Sequence, residues 1–164
     1  MTTLLEIIPS VCVNDLSLAL VKKSLSKHHK ILFSDVLTGG GLDEDSKLTS
    51  YAYNISIDES SYYLRKSFQD FDIDPAIDYL NEEYYEDLDI NEIALAWEKV
   101  GFSYELSPDN PLDDEDNFIE LVVAIGKAVS GVIFITSNYY KWCKPGLYSI
   151  SQFYVKYTKR KSNI

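Results

Sequence analysis

The sequence contains few of the side chains on which metal sites and nucleophilic catalysis most often depend. It has two cysteines and two histidines among 164 residues, and Cys12 and Cys143 form no CxxC pair. The adjacent His28 and His29 have no cysteine at the spacing of a zinc site. The nucleophile motif GxSxG and the metalloprotease motif HExxH are also missing. We therefore expect no metal, no cofactor and no enzymatic activity, and we expect the two cysteines to be unpaired thiols.

Segments that would direct the chain to a membrane are lacking as well. The first 20 residues start acidic, without the basic cluster and unbroken apolar run of a signal peptide. The longest apolar stretch, at 118–135, is interrupted by Glu120, by Lys127 and by the Ser130–Gly131 pair. A membrane span needs about 20 predominantly apolar residues without such breaks. The sequence therefore predicts a cytoplasmic protein without a membrane partner.

Basic residues are too few for a protein that binds the phosphate groups of nucleic acids or lipids. The chain has 15 Lys and Arg against 26 Asp and Glu, and its formal net charge is −11. Nucleic acids and anionic lipid surfaces are bound chiefly through Lys and Arg, so neither is expected as a partner. The hydrophobic fraction of 46% is high enough to build a core, which excludes a disordered acidic tail.

The negative charge is concentrated in the middle of the chain. Residues 1–34 carry a net charge of +2, residues 35–120 carry −20 and residues 121–164 carry +7. Like charges at this density repel one another and oppose a compact state. We therefore expect the acidic clusters to have a function that offsets this cost. The alternative is that the acids only cap helices and line solvent-facing surfaces. The acidic clusters lie at 42–47, 70–74, 82–89 and 113–116.

Hydrophobic periodicity predicts a single α+β domain over 1–158, followed by a frayed basic tail at 159–164. We expect an antiparallel or mixed sheet of about four or five strands together with four or five helices. A polar loop at 38–46 is expected to join the first two strands as a hairpin. The predicted strands are 30–37, 48–57, 102–106, 132–136 and 147–158, the last of which is either one long strand or a pair of strands. The predicted helices are 14–29, 60–68, 74–84, 89–100 and 117–129.

Two motifs resemble ligand sites but are better explained as local structure. The spacing from Asp87 to Glu98 matches an EF-hand loop, but the position that requires glycine is occupied by Glu92. Asp89-x-x-Glu92 is also a capping box that begins a helix. The glycines at 39–41 are followed by acidic residues rather than by the lysine of a phosphate-binding loop, so a hairpin turn is expected there.

Tyrosines embedded in acidic clusters are typical of a surface that binds a basic protein. The pair Tyr84–Tyr85 stands between Glu82–Glu83 and Glu86–Asp87. Two adjacent residues on a helix cannot both face the core, so one of the two rings is expected at the surface. There the ring supplies contact area, and the carboxylates steer and pair with Lys or Arg. The predicted partner-binding residues are Asp70, Asp72, Asp78, Glu82, Glu83, Tyr85, Glu86 and Asp87.

In general character the chain resembles the immunity proteins of bacterial toxin–immunity systems, including those of contact-dependent inhibition. The resemblance lies in the acidic middle from Asp70 to Asp116 with its tyrosines, and in the apolar helix followed by GVIFITSNYY at 131–140. It implies a small bacterial protein that binds a basic toxin, in many cases a nuclease, and covers its active site without doing chemistry itself. The basic last third of the chain departs from the uniform acidity of such proteins.

A second hypothesis is a nucleic-acid mimic of the anti-restriction or anti-CRISPR kind, which blocks a DNA-binding groove. Such a mimic needs carboxylates at regular intervals along an extended stripe. The acids of this chain are clustered rather than periodic, which favours the immunity function. The sequence predicts neither the identity of the partner nor the oligomeric state.

Overall fold

A computed structural model describes residues 5–10, 18–25, 30–43, 51–68, 89–110, 115–135 and 140–162. These residues form seven strands and four helices, which confirms the predicted α+β class but exceeds the expected four or five strands. The strands are β1 (Leu5–Ile8), β2 (Ile31–Asp35), β3 (Ala52–Ile57), β4 (Ser60–Ser67), β5 (Ser103–Pro108), β6 (Val132–Ile135) and β7 (Gly146–Ser149). The helices are α1 (Leu18–Ser24), α2 (Ile90–Val100), α3 (Glu115–Ala128) and α4 (Ile150–Ser162).

The seven strands form one antiparallel sheet in the order β2-β3-β4-β5-β1-β6-β7. The strands β2, β3, β4 and β5 follow one another in space as they do along the chain. The strand β1 is placed between β5 and β6, where Leu5 lies opposite Leu106 of β5 and Ile8 lies opposite Val132 of β6. Segments that are far apart in sequence therefore meet at β1.

The sheet is covered on both faces by helices. The helices α1, α3 and α4 pack on one face, in a core to which Leu18, Val21 and Leu25 contribute as predicted. On the other face α2 packs through Ile93 against a smaller apolar cluster in β1, β6 and β7. No described helix has the length and apolar character needed to cross a membrane.

The region after Asp58 is a strand, and the prediction of a helix from Ser60 or Ser61 through Phe68 was wrong. Asp58 adopts a left-handed conformation with φ 54°, which allows a tight turn into β4. Alternate residues of β4, such as Tyr62 and Leu64, are then buried in the core. Pairing with β3 and β5 along both edges decides the structure here, because cross-strand contacts outweigh a local helix signal.

The prediction of a long final strand was also largely wrong, because only its first residues belong to β7 and the rest form α4. The Ser149 hydroxyl accepts from the Gln152 N–H at 3.1 Å, and the Gln152 side chain accepts from the Ser149 N–H at 3.0 Å. This reciprocal capping box begins the helix. Phe153 and Tyr157, one turn apart, are both buried. The helix continues through residues 159–162, where the sequence predicted a frayed tail.

The helix α2 has the boundaries that its capping residues predicted. Asp89 Oδ1 accepts from the backbone N–H groups of Asn91 and Glu92 at 3.0 and 3.2 Å. Gly101 ends the helix in the left-handed conformation, with φ 78°. Glu98 lies inside the helix, so the EF-hand spacing does not correspond to a calcium loop. The helix predicted at 74–84 lies outside the described residues.

Candidate functional site

The residues on either side of the acidic stretch 69–88 lie at the same end of the sheet. At this end β4 finishes at Ser67, which pairs with Ser103 at the start of β5. The strand β1 also finishes here, and β6 starts here. We call this the site end of the sheet. Because Phe68 follows β4 directly and Asp89 caps α2 beside the end of β1, the acidic stretch is attached to the site end at both of its ends.

Three aromatic rings form a cluster at the site end, which we call the aromatic edge: Tyr51, Phe68 and Phe102. The rings of Tyr51 and Phe68 are stacked, with centroids 6.2 Å apart and an interplanar angle of 15°. Phe68 also lies 5.9 Å from the buried ring of Phe102. Phe68 is 61% exposed and Tyr51 is 46% exposed. Contacts with neighbouring rings thus hold two exposed aromatic side chains in place, which lowers the entropy that they lose on binding a partner.

A cation lies beneath the aromatic edge. The Lys66 Nζ is 4.7 Å from the centroid of the Phe102 ring, within the range of a cation–π contact. Partial burial lowers the pKa of Lys66 below its ordinary value. The ammonium group therefore packs against the Phe102 ring of the aromatic edge.

The partner-binding residues predicted from the sequence all lie outside the described residues. The stretch 69–88 that contains them has eight acidic residues and no basic residue. The structure therefore describes the attachments of this stretch, Phe68 and Asp89, and the surfaces beside them. The residues concerned are Asp70, Asp72, Asp78, Glu82, Glu83, Tyr85, Glu86 and Asp87.

A groove of about 580 Å³ runs between α2 and the site end of the sheet, and we call it the α2 groove. One wall is a side of α2, and the other is formed by the residues after β1 and before β6. The floor is apolar, and charged side chains stand along the α2 wall. The lining residues are Ile8, Pro9, Ser10, Asp89, Glu92, Ile93, Leu95, Ala96, Lys99, Ser130 and Val132.

Two glutamates, Glu6 and Glu105, lie side by side on the neighbouring strands β1 and β5, on the face that carries α2. The Arg65 Nε donates to Glu105 from β4, and the Ser103 hydroxyl donates to Glu6 Oε2 at 3.4 Å. Burial, followed by repulsion from Glu105, raises the pKa of Glu6. The hydrogen bond to Glu105 raises the pKa of Arg65. The cluster joins three strands, and within it Glu6 holds its proton more tightly than an isolated glutamate would.

The sequence contains one signal for this cluster. Alternation in the predicted strand 102–106 places Phe102, Tyr104 and Leu106 on the core face, and therefore places Glu105 on the opposite face. Its pairing with Glu6 depends on β1 lying next to β5, which local periodicity does not reveal.

Groups suited to covalent chemistry are not prominent in the part of the chain that the structure describes. Cys143 is a free, buried thiol, and burial raises its pKa to about 11, so it remains protonated at neutral pH. Among the described residues no group of three or more His, Cys, Asp and Glu is arranged to hold a metal ion. The described surfaces at the site end are suited to binding: stacked exposed rings and a groove with an apolar floor.

Comparison of the chain with protein-family models, with curated proteins and with solved structures finds no match. Its function is therefore inferred from its own residues and their geometry.

Proposed function

We propose that this protein is an immunity protein that binds a basic toxin domain, most simply a nuclease, and neutralises it by covering its active site. The observation that carries the proposal is the exposed Phe68 ring, stacked on Tyr51, at the start of a stretch with eight acidic residues and no basic residue. Exposed aromatic anchors beside carboxylates are a composition that favours tight binding to a cationic surface.

The two kinds of residue have different tasks in the complex. The rings of Tyr51 and Phe68 become buried against the partner and contribute most of the binding energy. The carboxylates of 69–88 pair with Lys and Arg, which a nuclease needs for its contacts with phosphates. A stable complex buries about 1,200–2,000 Å² in total, enough to cover an active-site cleft. Neutralisation then follows from occlusion, without chemistry by this protein.

The distribution of charge over the described helices disfavours binding of a basic partner at α4. The helix α4 contains Lys156, Lys159, Arg160 and Lys161 and no acidic residue. It packs on the face of the sheet opposite to α2, which carries Glu92, Glu98 and Lys99. A basic partner is therefore repelled from α4, which packs beside β6 and β7, and can approach the aromatic edge at the ends of β3, β4 and β5.

A charge-reversed variant tests the proposal. Replacing Glu82, Glu83, Glu86 and Asp87 together by Lys changes the charge of the acidic stretch by +8 and is expected to abolish binding of the basic partner. The wild type and the variant are used to capture partners from the lysate of the native host at 50 and 500 mM NaCl. The captured protein is then purified and assayed for toxicity and for inhibition by each form. The variant should keep the circular dichroism spectrum of the wild type.

A control variant distinguishes the effect of where the charges are changed from the effect of the change in net charge. Replacing Asp43, Glu44, Asp45 and Glu59 by Lys gives the same change in net charge, while Glu59 lies in the β3–β4 turn, away from the site end. We expect this variant to inhibit the partner with an affinity within about threefold of the wild type. Equal loss in both variants, or a captured partner whose activity is unaffected, would contradict the proposal.

A further inference from the structure

We propose that the α2 groove binds a Lys or Arg side chain from an extended segment of the basic partner. The inference rests on the proposed function and deepens it, because it assigns a described cavity to one class of partner residue. The shape of the groove, its apolar floor and the order of charges along its α2 wall support this occupant.

The wall opposite α2 is fixed by backbone contacts. The Ser10 N–H donates to the Val129 carbonyl at 3.3 Å, which ties the end of β1 to the end of α3. Gly131 approaches β1 so closely that a Cβ built on it would lie 2.7 Å from the Ile8 carbonyl oxygen. The turn that contributes Ser130 is therefore held against β1, and the groove is present before any partner arrives. A preformed groove loses little entropy on binding.

The α2 wall presents side chains from successive turns. Glu92, Ala96 and Lys99 lie on one side of the helix, because residues three and four apart share a face. The exposed apolar side chain of Leu95 stands beside them. Below this wall the floor consists of Ile8, Ile93 and Val132, which belong to or pack on the apolar cluster under α2.

The charges along the α2 wall are ordered. Asp89 and Glu92 stand at the start of α2, and Lys99 stands near its end. At 1.5 Å per residue, Glu92 and Lys99 are separated by about 10 Å along the helix axis. A cationic group is therefore drawn to the end of the groove that Asp89 occupies and repelled from the end that Lys99 occupies, which fixes the direction in which the side chain lies.

A Lys or Arg side chain fits both the charge and the apolar character of the groove. Its aliphatic stem can lie on Ile8 and Ile93 while its charged group reaches the carboxylates, as long basic side chains do on apolar surfaces. The two cap hydrogen bonds of Asp89 are accepted by Oδ1, so the other oxygen can receive a donor without breaking the cap. The same basic partner that is proposed to meet 69–88 would supply this residue, because Asp89 directly follows that stretch.

A peptide titration tests the inference without the toxin. The probe is acetyl-Val-Arg-Val-amide, and acetyl-Val-Glu-Val-amide is its control; both are added to ¹⁵N-labelled protein followed by NMR. We expect the Arg peptide to shift the amide signals of Ser10, Glu92 and Ala96, and to bind at least tenfold more tightly than the Glu peptide.

Three variants complete the experiment. Asp89→Asn combined with Glu92→Gln removes two negative charges while an Asn side chain still caps the helix, and it is expected to weaken binding of the Arg peptide at least fivefold. Lys99→Gln removes the repelling charge and is expected to strengthen binding up to threefold. Lys127→Gln, on the opposite face of the sheet, should leave the dissociation constant unchanged.

The inference is overturned if the Arg and Glu peptides bind equally, if the shifts lie outside the groove, or if the double variant, while folded, binds the Arg peptide as the wild type does. Failure of the proposed function is a different result. In that case no basic partner is captured by the wild type, whatever the peptides do. If a basic partner is captured and the double variant inhibits it as the wild type does, the inference fails alone.

Discussion

Glu6 and Glu105 place two carboxyl groups side by side on neighbouring strands of the sheet. The two carboxyl groups occupy directly opposite positions on β1 and β5, and Arg65 pairs with Glu105. Because Glu6 is partly buried beside a like charge, its pKa is raised above the ordinary value of 4.5. In the folded protein Glu6 therefore keeps its proton to a higher pH than it does in the unfolded chain.

This arrangement predicts a stability that depends on pH. The contribution of Glu6 is fully present below its unfolded pKa and is lost as the pH rises through its folded pKa. Glu6→Gln mimics the protonated form, so we expect it to raise the free energy of unfolding at pH 7.5 by about 0.2–1 kcal/mol, as for removal of a like-charge cross-strand pair. At pH 4 the two proteins should have nearly equal stability.

Urea unfolding at pH 4, 5.5 and 7.5 measures this difference. Glu59→Gln, in the exposed turn between β3 and β4, is the matched control and should follow the wild type at every pH. A Glu6→Gln variant that is less stable than the wild type at pH 7.5 would contradict the raised pKa of Glu6.

At the scale of elements, the turn between α3 and β6 is tightly constrained. The Gly131 N–H donates to the Gly126 carbonyl at 2.9 Å, and Ser130 adopts a left-handed conformation with φ 48°. These are the features of a Schellman ending. The close approach of Gly131 to the Ile8 carbonyl leaves no space for a side chain. The turn thus joins the end of a core helix to a strand beside β1 and forms part of the α2 groove.

Gly131→Ala is therefore expected to destabilise the protein by about 1–3 kcal/mol, the usual cost of overpacking a rigid site. The contact is with backbone rather than with a flexible side chain, so β1 or the turn must shift. Gly41→Ala is the control, because a Cβ there would meet nothing within 4 Å. Thermal unfolding of both variants measures the difference, and equal melting temperatures would show that the turn has more freedom than the structure indicates.

The elements that could be predicted from the sequence are those whose signals are local. The helix α2 has a cap at each end and a periodic apolar side, and both boundaries were predicted correctly. The strand β4 and the helix α4 were misassigned for different reasons. Pairing on both sides determines β4, whereas the apolar residues of α4 alternate over a short stretch although Phe153 and Tyr157 are also spaced as in a helix.

The candidate site could be predicted only where its residues are contiguous. The acidic stretch 69–88 is visible as composition, but the exposure of Phe68 depends on where β4 ends relative to β5. The α2 groove requires residues near 10, 90 and 130 to come together. That proximity follows from the position of β1 between β5 and β6, which a pattern of apolar residues does not specify.

At the scale of the whole molecule, the net charge of −11 is the sum of unlike regions. The middle of the chain supplies the acidic stretch and α2, whereas the last 44 residues, with +7, supply the basic helix α4. In α4 one of these charges is partly neutralised, because Arg160 pairs with Glu115 of α3. Among the described helices the strongest concentration of like charge is therefore the basic one on α4.

If the protein binds the proposed basic partner, we expect the association rate to fall at least tenfold between 50 and 500 mM NaCl, because salt screens electrostatic steering. The dissociation rate should change much less. Lys127→Gln with Lys159→Gln, exposed residues of α3 and α4, should raise the association rate slightly at low salt and leave dissociation unchanged. Stopped-flow or surface plasmon resonance measures both rates, and a salt-independent association rate would exclude steering.

The position of β1 inside the sheet also determines when the sheet can be completed during synthesis of the chain. The meander from β2 to β4 can form as soon as it leaves the ribosome, because its strands are neighbours in sequence. The apolar strand β1 lacks both of its sheet neighbours until β5 has been made, and its second neighbour, β6, comes later still. Until then β1 is an unpaired edge at risk of association with other chains. A nascent chain that ends before β6 therefore has neither a complete sheet nor an α2 groove.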